Sequence, residues 1–596
     1  MGTRHSTGRL AEQHDMTPPW LTRVIPGIGW IRGYQRAWVW SDLLAGVTVA
    51  AVIVPIAMAY GQLSGLPAVV GIYASLLPLV MYPLFGSSRL LILGPDTSTA
   101  ALVVAAVAPL AAGDLPRYAA LASTLAILVG LLCILAGVVR LGFVANFLSK
   151  PILVGYMNGL AFTVIASQLG KMTGIRIQAD TFVGQVSEFL RKLGQSHWPT
   201  ALIAIGTLAI VLILKCVAPR IPGALVAVMS ATVLVAVFDL TRYGVATVGA
   251  IPPGLPALRL PTITVVDLGP LFSAAIGIVL LTYSDTILNA RTFAARNHYP
   301  IDSNQELIGL GVANLSAGIT QGYPVSASGT RTAVNEAAGG KSQLAGVIAA
   351  VCLVAILLFF TGVLSSFPSA SLGALLVAAM VGLIDLRTLG GLYRFSKREF
   401  VIALVALVGV LLIGLLEGIL LAVGLSLILL IARAVRPHDA VLGDVKGFEG
   451  YHDIGDFADA ETLPGLLVYR FDGPLFFANA SHFRDRVLEL VNESETPIVW
   501  FLLDAEAITD VDATAMEMLE GLQPELAAMD IVLAVARAKS FLREMLAQGR
   551  LLQAIGSERV FPTIRSGVAA YRLSIQATGA PQPAPNSQSQ TPNGYI

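Results

Sequence analysis

YPVSASGTRTAVN at 323–335 and GPDTSTA at 94–100 are two short polar breaks in a chain that otherwise reads as membrane. In each, a proline leads into a Ser/Thr-rich stretch that runs on into a helix. Lipid tolerates irregular backbone only where protein or a water-filled cavity covers it. Two such breaks, one in each half of the apolar region, point to a transport site near mid-membrane. The free N–H groups and positive dipole end of a helix N-terminus suit an anion. Two facing helix starts would make a small anion pocket.

The surrounding composition fits that reading. The 596 residues are 55% hydrophobic and 13% charged, about half the charge fraction of a soluble protein. Residues 1–41 are polar and basic, 42–432 almost all apolar, and 437–596 resemble an ordinary soluble domain. At ~20 residues per span, the apolar block holds roughly 13–15 spans. Arg4, Arg9, Arg23, Arg32 and Arg36 precede the first span, and Arg433 and Arg436 follow the last. By the positive-inside rule both ends face the cytoplasm, so the number of spans is even, and fourteen fits. The zero net charge gives no reason to expect a nucleic-acid partner. Cys133, Cys216 and Cys352 lie far apart in apolar runs and read as small buried hydrophobes rather than metal ligands or a disulfide. No cofactor is expected. No basic-then-apolar stretch with a cleavage site marks a signal peptide.

Along the chain, spans are expected near 42–60, 66–85, from 94, 117–139, 147–168, 199–217 and 222–239. Residues 175–197 read as an amphipathic interfacial segment. A Pro/Gly-rich link over 240–266 leads to spans near 267–292, 303–320, the second break, 343–364, 370–386, 399–414 and 416–433. A short, proline-led third span in each half is a weak repeat of about seven spans, and an odd number per repeat makes the repeats inverted. From 464 the pattern turns α/β. Strands are expected at 465–471, 474–479, 498–504 and 531–536, and helices at 481–491, 512–528 and 539–548, giving a small sheet with helices packed on it. The domain boundaries are an N-terminal arm at 1–41, a membrane domain at 42–436, a soluble domain with linker at 437–575, and a Gln/Pro/Asn/Ser-rich tail at 576–596 that reads as disordered.

Several motifs, in order, resemble the SulP (sulfate permease-type) anion transporters. AVVGIYASLLPLVMYPLFGSSR (68–89) resembles their second span and GPDTSTA the start of their third. DSNQELIGLGVANLSAG (302–318) and SGTRTAVNEAAGGKSQ (328–343) resemble their ninth and tenth spans. The C-terminal region resembles a STAS domain. The resemblance implies an all-α polytopic membrane domain of fourteen spans, in two inverted repeats of seven, followed by a small cytoplasmic α/β STAS domain. It also implies a core moving against a gate that commonly holds a homodimer, in the plasma membrane. Sulfate leads as substrate, with bicarbonate and dicarboxylates next. The function it implies is secondary active transport by alternating access, coupled to H+ or Na+. An uncoupled anion channel or exchanger is the alternative. No nucleophile–base pair or phosphate-binding loop supports an enzyme.

Asp96, Thr97, Ser98 and Thr99 open the third span, either as an anion cradle or as helix caps. Capping suits Asp96 better, since a carboxylate repels an anion. Ala327, Ser328, Gly329 and Thr330 open the tenth, with N–H groups near Ser328 and Gly329 expected to face the substrate. Arg331 is the basic residue at the breaks and, inside a membrane block, functional by default. Its structural alternative is an ion pair with Glu336 or Asp285. Asp285 and Asn289, four residues apart in the eighth span, share a helix face and offer oxygens to a hard cation. Sodium binding or proton coupling at Asp285 are both open. The first span carries Ile56 where the family resemblance leads one to expect a glutamine, so Tyr60 and Gln62 are its polar candidates. Glu417 reads as a loop-end carboxylate. In ITDVDATAMEML (508–519), Ala513 stands where STAS relatives carry a phosphorylated serine, leaving Thr514 as the hydroxyl.

Overall fold

The computed structural model describes residues 25–143, 149–179, 181–218, 221–457 and 459–578. Most of the N-terminal arm (1–24) and all but the first residues of the expected tail (579–596) fall outside these residues. The chain divides into two compact units, Met1–Ser426 and Leu427–Ile596.

Among the described residues, fourteen of the helical segments fall near the expected spans, with others such as Leu386–Phe395 between them: α1 (Val39–Leu63), α2 (Ala68–Phe85, broken before Pro78), α3 (Thr97–Ala111), α4 (Leu115–Val138), α5 (Lys150–Thr173), α6 (Trp198–Val217), α7 (Gly223–Val237), α8 (Val265–Asn297), α9 (Ser303–Ile319), α10 (Gly329–Ala337), α11 (Leu344–Phe359), α12 (Ser369–Leu383), α13 (Lys397–Leu412) and α14 (Leu415–Val435). Seven helices are long and apolar enough to cross a membrane. α3 and α10 are short because each starts only after its polar break. Their caps set those starts: Asp96 accepts from the Ser98 N–H at the head of α3, and Ser328 Oγ accepts from the Arg331 N–H at the head of α10. The expected interfacial segment is a separate helix, Phe182–Lys192, with no buried residue. On this helix, hydrogen bonds from Lys192 and from the Gln178 and Ala179 N–H groups hold the Glu188 carboxyl down to about 2.

Packing partners recur with the halves exchanged. α1 packs on α11 as α8 packs on α4; α10 packs on α1 as α3 packs on α8; and α13 packs on α5 as α6 packs on α12. α1–α4 with α8–α11 therefore form one bundle, and α5–α7 with α12–α14 flank it. The two meet where α1 touches α7 and α12. Two acids repeat the relation. Asp42, in the first turn of α1, accepts from the Lys341 and Ser342 N–H groups before α11. Asp267, in the first turn of α8, binds Arg117 at the start of α4 at 2.9 Å. These contacts fix two faces of the bundle. Asp42, Ser87, Gly142, Asn304 and Lys341 meet on one, the near face. Ser64, Tyr118, Asp267 and Gly254 with Leu357 lie on the other, the far face.

The second unit is a six-stranded sheet in the order β4 (Tyr451–Asp453), β3 (Asp439–Asp444), β5 (Leu466–Phe471), β6 (Trp500–Asp504), β7 (Val532–Ala536), β8 (Val560–Phe561). β5 to β8 run parallel, and β3 is antiparallel to both neighbours. Alternation sorts β5: Leu467, Tyr469 and Phe471 pack under α15 (Ala480–Asn492), α16 (Ala513–Ala528) and α17 (Ser540–Gln548), while Leu466 and Val468 pack under α18 (Ile564–Thr578). Three expectations change here. Residues 474–479 form a turn, not a strand, because the Asn479 side chain accepts from the Phe476 N–H and donates to the Pro474 carbonyl. The linker before 464 holds β3 and β4. The tail begins later than 576, since α18 continues to Thr578, anchored by buried Ile564, Val568 and Tyr571. Burial raises the Asp504 carboxyl at the end of β6 above its usual range, with Arg537 opposing.

Candidate functional site

The two breaks meet. Leu93–Gly94 (β1) and Ser326–Ala327 (β2) pair antiparallel, Leu93 opposite Ala327 and Gly94 opposite Ser326. The strands therefore run in opposite directions directly into α3 and α10, and the two helix starts are held together inside the bundle. Unpaired backbone at this depth would be costly, and side chains complete the accounting. Ser328 N donates to the Ile92 carbonyl at 3.1 Å, and Ile92 N to Thr332 Oγ1 at 3.1 Å. Val325 N donates to Asn314 Oδ1 at 2.8 Å, Ala327 N to Thr286 Oγ1 at 3.3 Å, and Asn335 Nδ2 to the Leu90 carbonyl at 2.9 Å. One expectation changes: the Ser328 N–H is spent on Ile92 and does not face a ligand. The first turn of α10 closes with Thr332 N on the Ser328 carbonyl, so the Gly329 and Thr330 N–H groups precede its first helical bond.

Around this crossing lies a cavity of about 510 Å³. It is lined by Tyr60, Asp96, Thr97, Ser98, Asp285, Asn289, Ala327, Ser328, Gly329, Thr330 and Arg331. Residues from both breaks and from α8 thus share one space. Thr99 does not line it. Its Oγ1 accepts from Asp96 N and donates to the Asp96 carbonyl, while the Asp96 side chain accepts from Ser98 N. Asp96 and Thr99 form a capping box.

Arg331 is 2% exposed. Its Nη1 donates to the Pro95 carbonyl at 2.6 Å, while Nε and Nη2 have no partner among the described residues. The guanidinium lies against Gly94, where an added Cβ would come within 3.3 Å of Nη1. No ion pair to Glu336 or Asp285 forms. Glu336 instead takes Asn297 at 2.5 Å and Arg296 at 3.8 Å. Gly329 sits so close to α8 that a Cβ there would be 2.6 Å from Asn289 Oδ1. The Asn289 amide nitrogen donates to the Asp285 backbone carbonyl, which leaves Asn289 Oδ1 toward Gly329, and Asp285 lines the same cavity. Among the described residues no group of three or more His, Cys, Asp or Glu forms a metal cluster. A hard cation would draw on Asp285, Asn289 and backbone carbonyls.

The site also uses residues that the sequence reading passed over. Met157 and Leu160 of α5 and Leu375 and Leu376 of α12 form an apolar wall. Lys215, near the end of α6, lines the same cavity with Gly223 and Leu383. These are near-face ends, so the cavity reaches that face. A lone lysine in the apolar run LILKCV was the available signal. Glu306, fully buried at the head of α9, accepts from Tyr82 Oη, Ser87 N and Ser88 N and so fixes the approach to β1.

The family model described as the sulfate permease family matches residues 39–406, and the STAS domain model matches 457–567. A probable sulfate transporter of Mycobacterium tuberculosis is 47% identical over 547 residues, covering 92% of this chain and 98% of its own. A chloroplastic sulfate transporter of Arabidopsis thaliana is 31% identical, covering 94% of this chain and 84% of its own. Among solved structures, murine Solute Carrier 26 family member A9, an anion transporter in the inward-facing state, superposes with a TM-score of 0.87 at 22% identity over 96% of this chain and all of its own. The transmembrane domain of a cyanobacterial bicarbonate transporter gives 0.57 at 25% identity, over 66% of this chain and 98% of its own.

Proposed function

The chain belongs to the sulfate permease family, a family of transporters rather than enzymes, and from that premise we propose that it carries small anions across a membrane through the cavity at the crossed breaks. Sulfate is the foremost substrate. The observation that carries this reading is Arg331: a buried guanidinium with two unpartnered nitrogens beside a cavity where two helix starts converge. A buried guanidinium in no ion pair, with two nitrogens unspent, is costly, and an oxyanion supplies the acceptors it lacks. The Gly329 and Thr330 N–H groups and the Thr97 hydroxyl add neutral donors, while the Ser98 hydroxyl donates to Asp96 Oδ2 at 3.1 Å.

The fixed charges at the cavity are Arg331 and Lys215 against Asp96 and Asp285, which cancel. A divalent anion entering alone leaves the site strongly negative in a poorly screened environment. Entry with a proton or sodium ion at Asp285 relieves part of that, and makes Asp285 the coupling group. In alternating access, α1–α4 and α8–α11 carry the site past the flanking helices, with the near face on the cytoplasm of the plasma membrane and both termini there.

Purified protein in liposomes, given radiolabelled sulfate, bicarbonate or succinate under a proton gradient, a sodium gradient or neither, tests this. Gradient-driven accumulation of sulfate, lost in Arg331→Ala, is the expected outcome. Flux that only dissipates an anion gradient would make the protein an uncoupled exchanger or channel. Accumulation unchanged in Arg331→Ala would remove the site.

A further inference from the structure

A second cavity, of about 390 Å³, lies toward the far face and has no part in the site above. The two cavities follow the same helices: Tyr60 and Leu160 line the first, while Gln62 and Val164, half a turn or one turn further along α1 and α5, line the second. The second is walled by α1 and α3 on one side and by α5, α13, α14 and the Phe182–Lys192 helix on the other. Its walls thus belong to both bundles, and any movement of one past the other reshapes it.

Its polar content is unusual for a space inside a membrane unit. Lys171 brings a positive charge whose hydrogen bond is a long one, 3.5 Å to the Gln62 carbonyl. Glu417 lines the same space, yet no ion pair joins the two. Gln168 is 2% exposed, and its Oε1, which lies against Gly373 of α12, has no partner among the described residues; nor does Gln185 Oε1. The Gln168 amide nitrogen donates to Ser167 Oγ at 2.8 Å, which places both on the cavity wall. Buried amide oxygens are satisfied by water where a cavity has room for it. The space therefore carries a lysine, a carboxylate and an amide oxygen that lacks a donor, and it lies in line with the transport site.

We propose that this far-face cavity is a second anion-binding site, in which Lys171 captures a partly hydrated small oxyanion before it reaches Arg331. Water held by Gln185 solvates the ion, and Glu417 weakens the hold so that it moves on. Binding weak enough to release is what a staging site requires. The inference rests on the anion-carrier reading of the first cavity.

A bland alternative exists: a lysine in the last turn of a helix offsets the dipole there. The two roles differ in sidedness. Sulfate uptake by whole cells reads the far face, and uptake by inverted membrane vesicles reads the near face, both with the full-length protein. Lys171→Gln is expected to raise the half-saturating concentration in cells about fivefold, with maximal rate held, and to leave vesicles unchanged; Lys171→Arg restores it. Glu417→Gln, which removes the opposing charge, is expected to lower the cellular value. Equal changes on both sides, or none on either, would overturn the proposal. Should the unmodified protein move no sulfate in either preparation, it is the carrier reading that fails.

Discussion

The two helix starts at the crossing are built alike and charged differently. α3 and α10 each follow a two-residue strand, each begins in a polar break, and the strands pair with one another. Yet α3 is capped by a carboxylate, Asp96, while α10 is capped by a hydroxyl, Ser328, and carries Arg331 in its first turn. The inverted repeat supplies the same backbone twice. Among the described residues, only the α10 copy leaves a cation with unspent donors. Geometry in this unit comes from the repeat, and chemistry from the places where the two copies differ.

That contrast is breakable. The largest effect is expected for Arg331→Ala, which should lower sulfate uptake efficiency by about two orders of magnitude, from the ~3 kcal/mol scale of a broken buried charge pair. Abundance and thermal stability of the purified variant check that the loss is not one of folding, since the bond to the Pro95 carbonyl goes too. Next comes Asp285→Asn. Accumulation driven by the coupling-ion gradient should fall about tenfold while exchange along the anion's own gradient persists. Equal gradient dependence in variant and parent would clear Asp285 of coupling. Gly329→Ala should follow, costing ~1–3 kcal/mol through the 2.6 Å approach to Asn289 Oδ1. Adding Asn289→Ala should return much of that loss. Without such rescue, the contact does not limit the site.

Much of this was legible from residues alone, for a physical reason. A break in an apolar run must be covered, so the Pro- and Ser/Thr-rich stretches at 94–100 and 323–335 announced a shared cavity before any contact was known. Asp285 and Asn289 were legible because helical spacing places them on one face. What stayed hidden depends on long-range contacts. The Ser328 N–H is lost to Ile92, a partner more than two hundred residues away. Glu306 looks like an ordinary first-turn acid, yet it anchors Ser87 and Ser88. Lys215 reads as a helix-end lysine until α7 and α12 are packed beside it. In the second unit, PLFFAN has strand composition, and only the Asn479 bonds turn it back.

The smallest expected effect is the one that tests the contrast most directly. Asp96→Asn keeps the cap, because asparagine is as good an N-cap as aspartate, and removes the negative charge from the head of α3. If the two starts differ in function because they differ in charge, the substituted α3 start becomes more like α10. Sulfate should then bind about two- to fivefold more tightly, the scale of one charge at a helix end. Binding to purified protein measures this without the complication of turnover. Weaker binding with the fold intact would mean that Asp96 does more than close a helix, and that the anion travels with a proton carried at position 96. Asp96→Ala cannot make the distinction, because it loses the cap and the charge together.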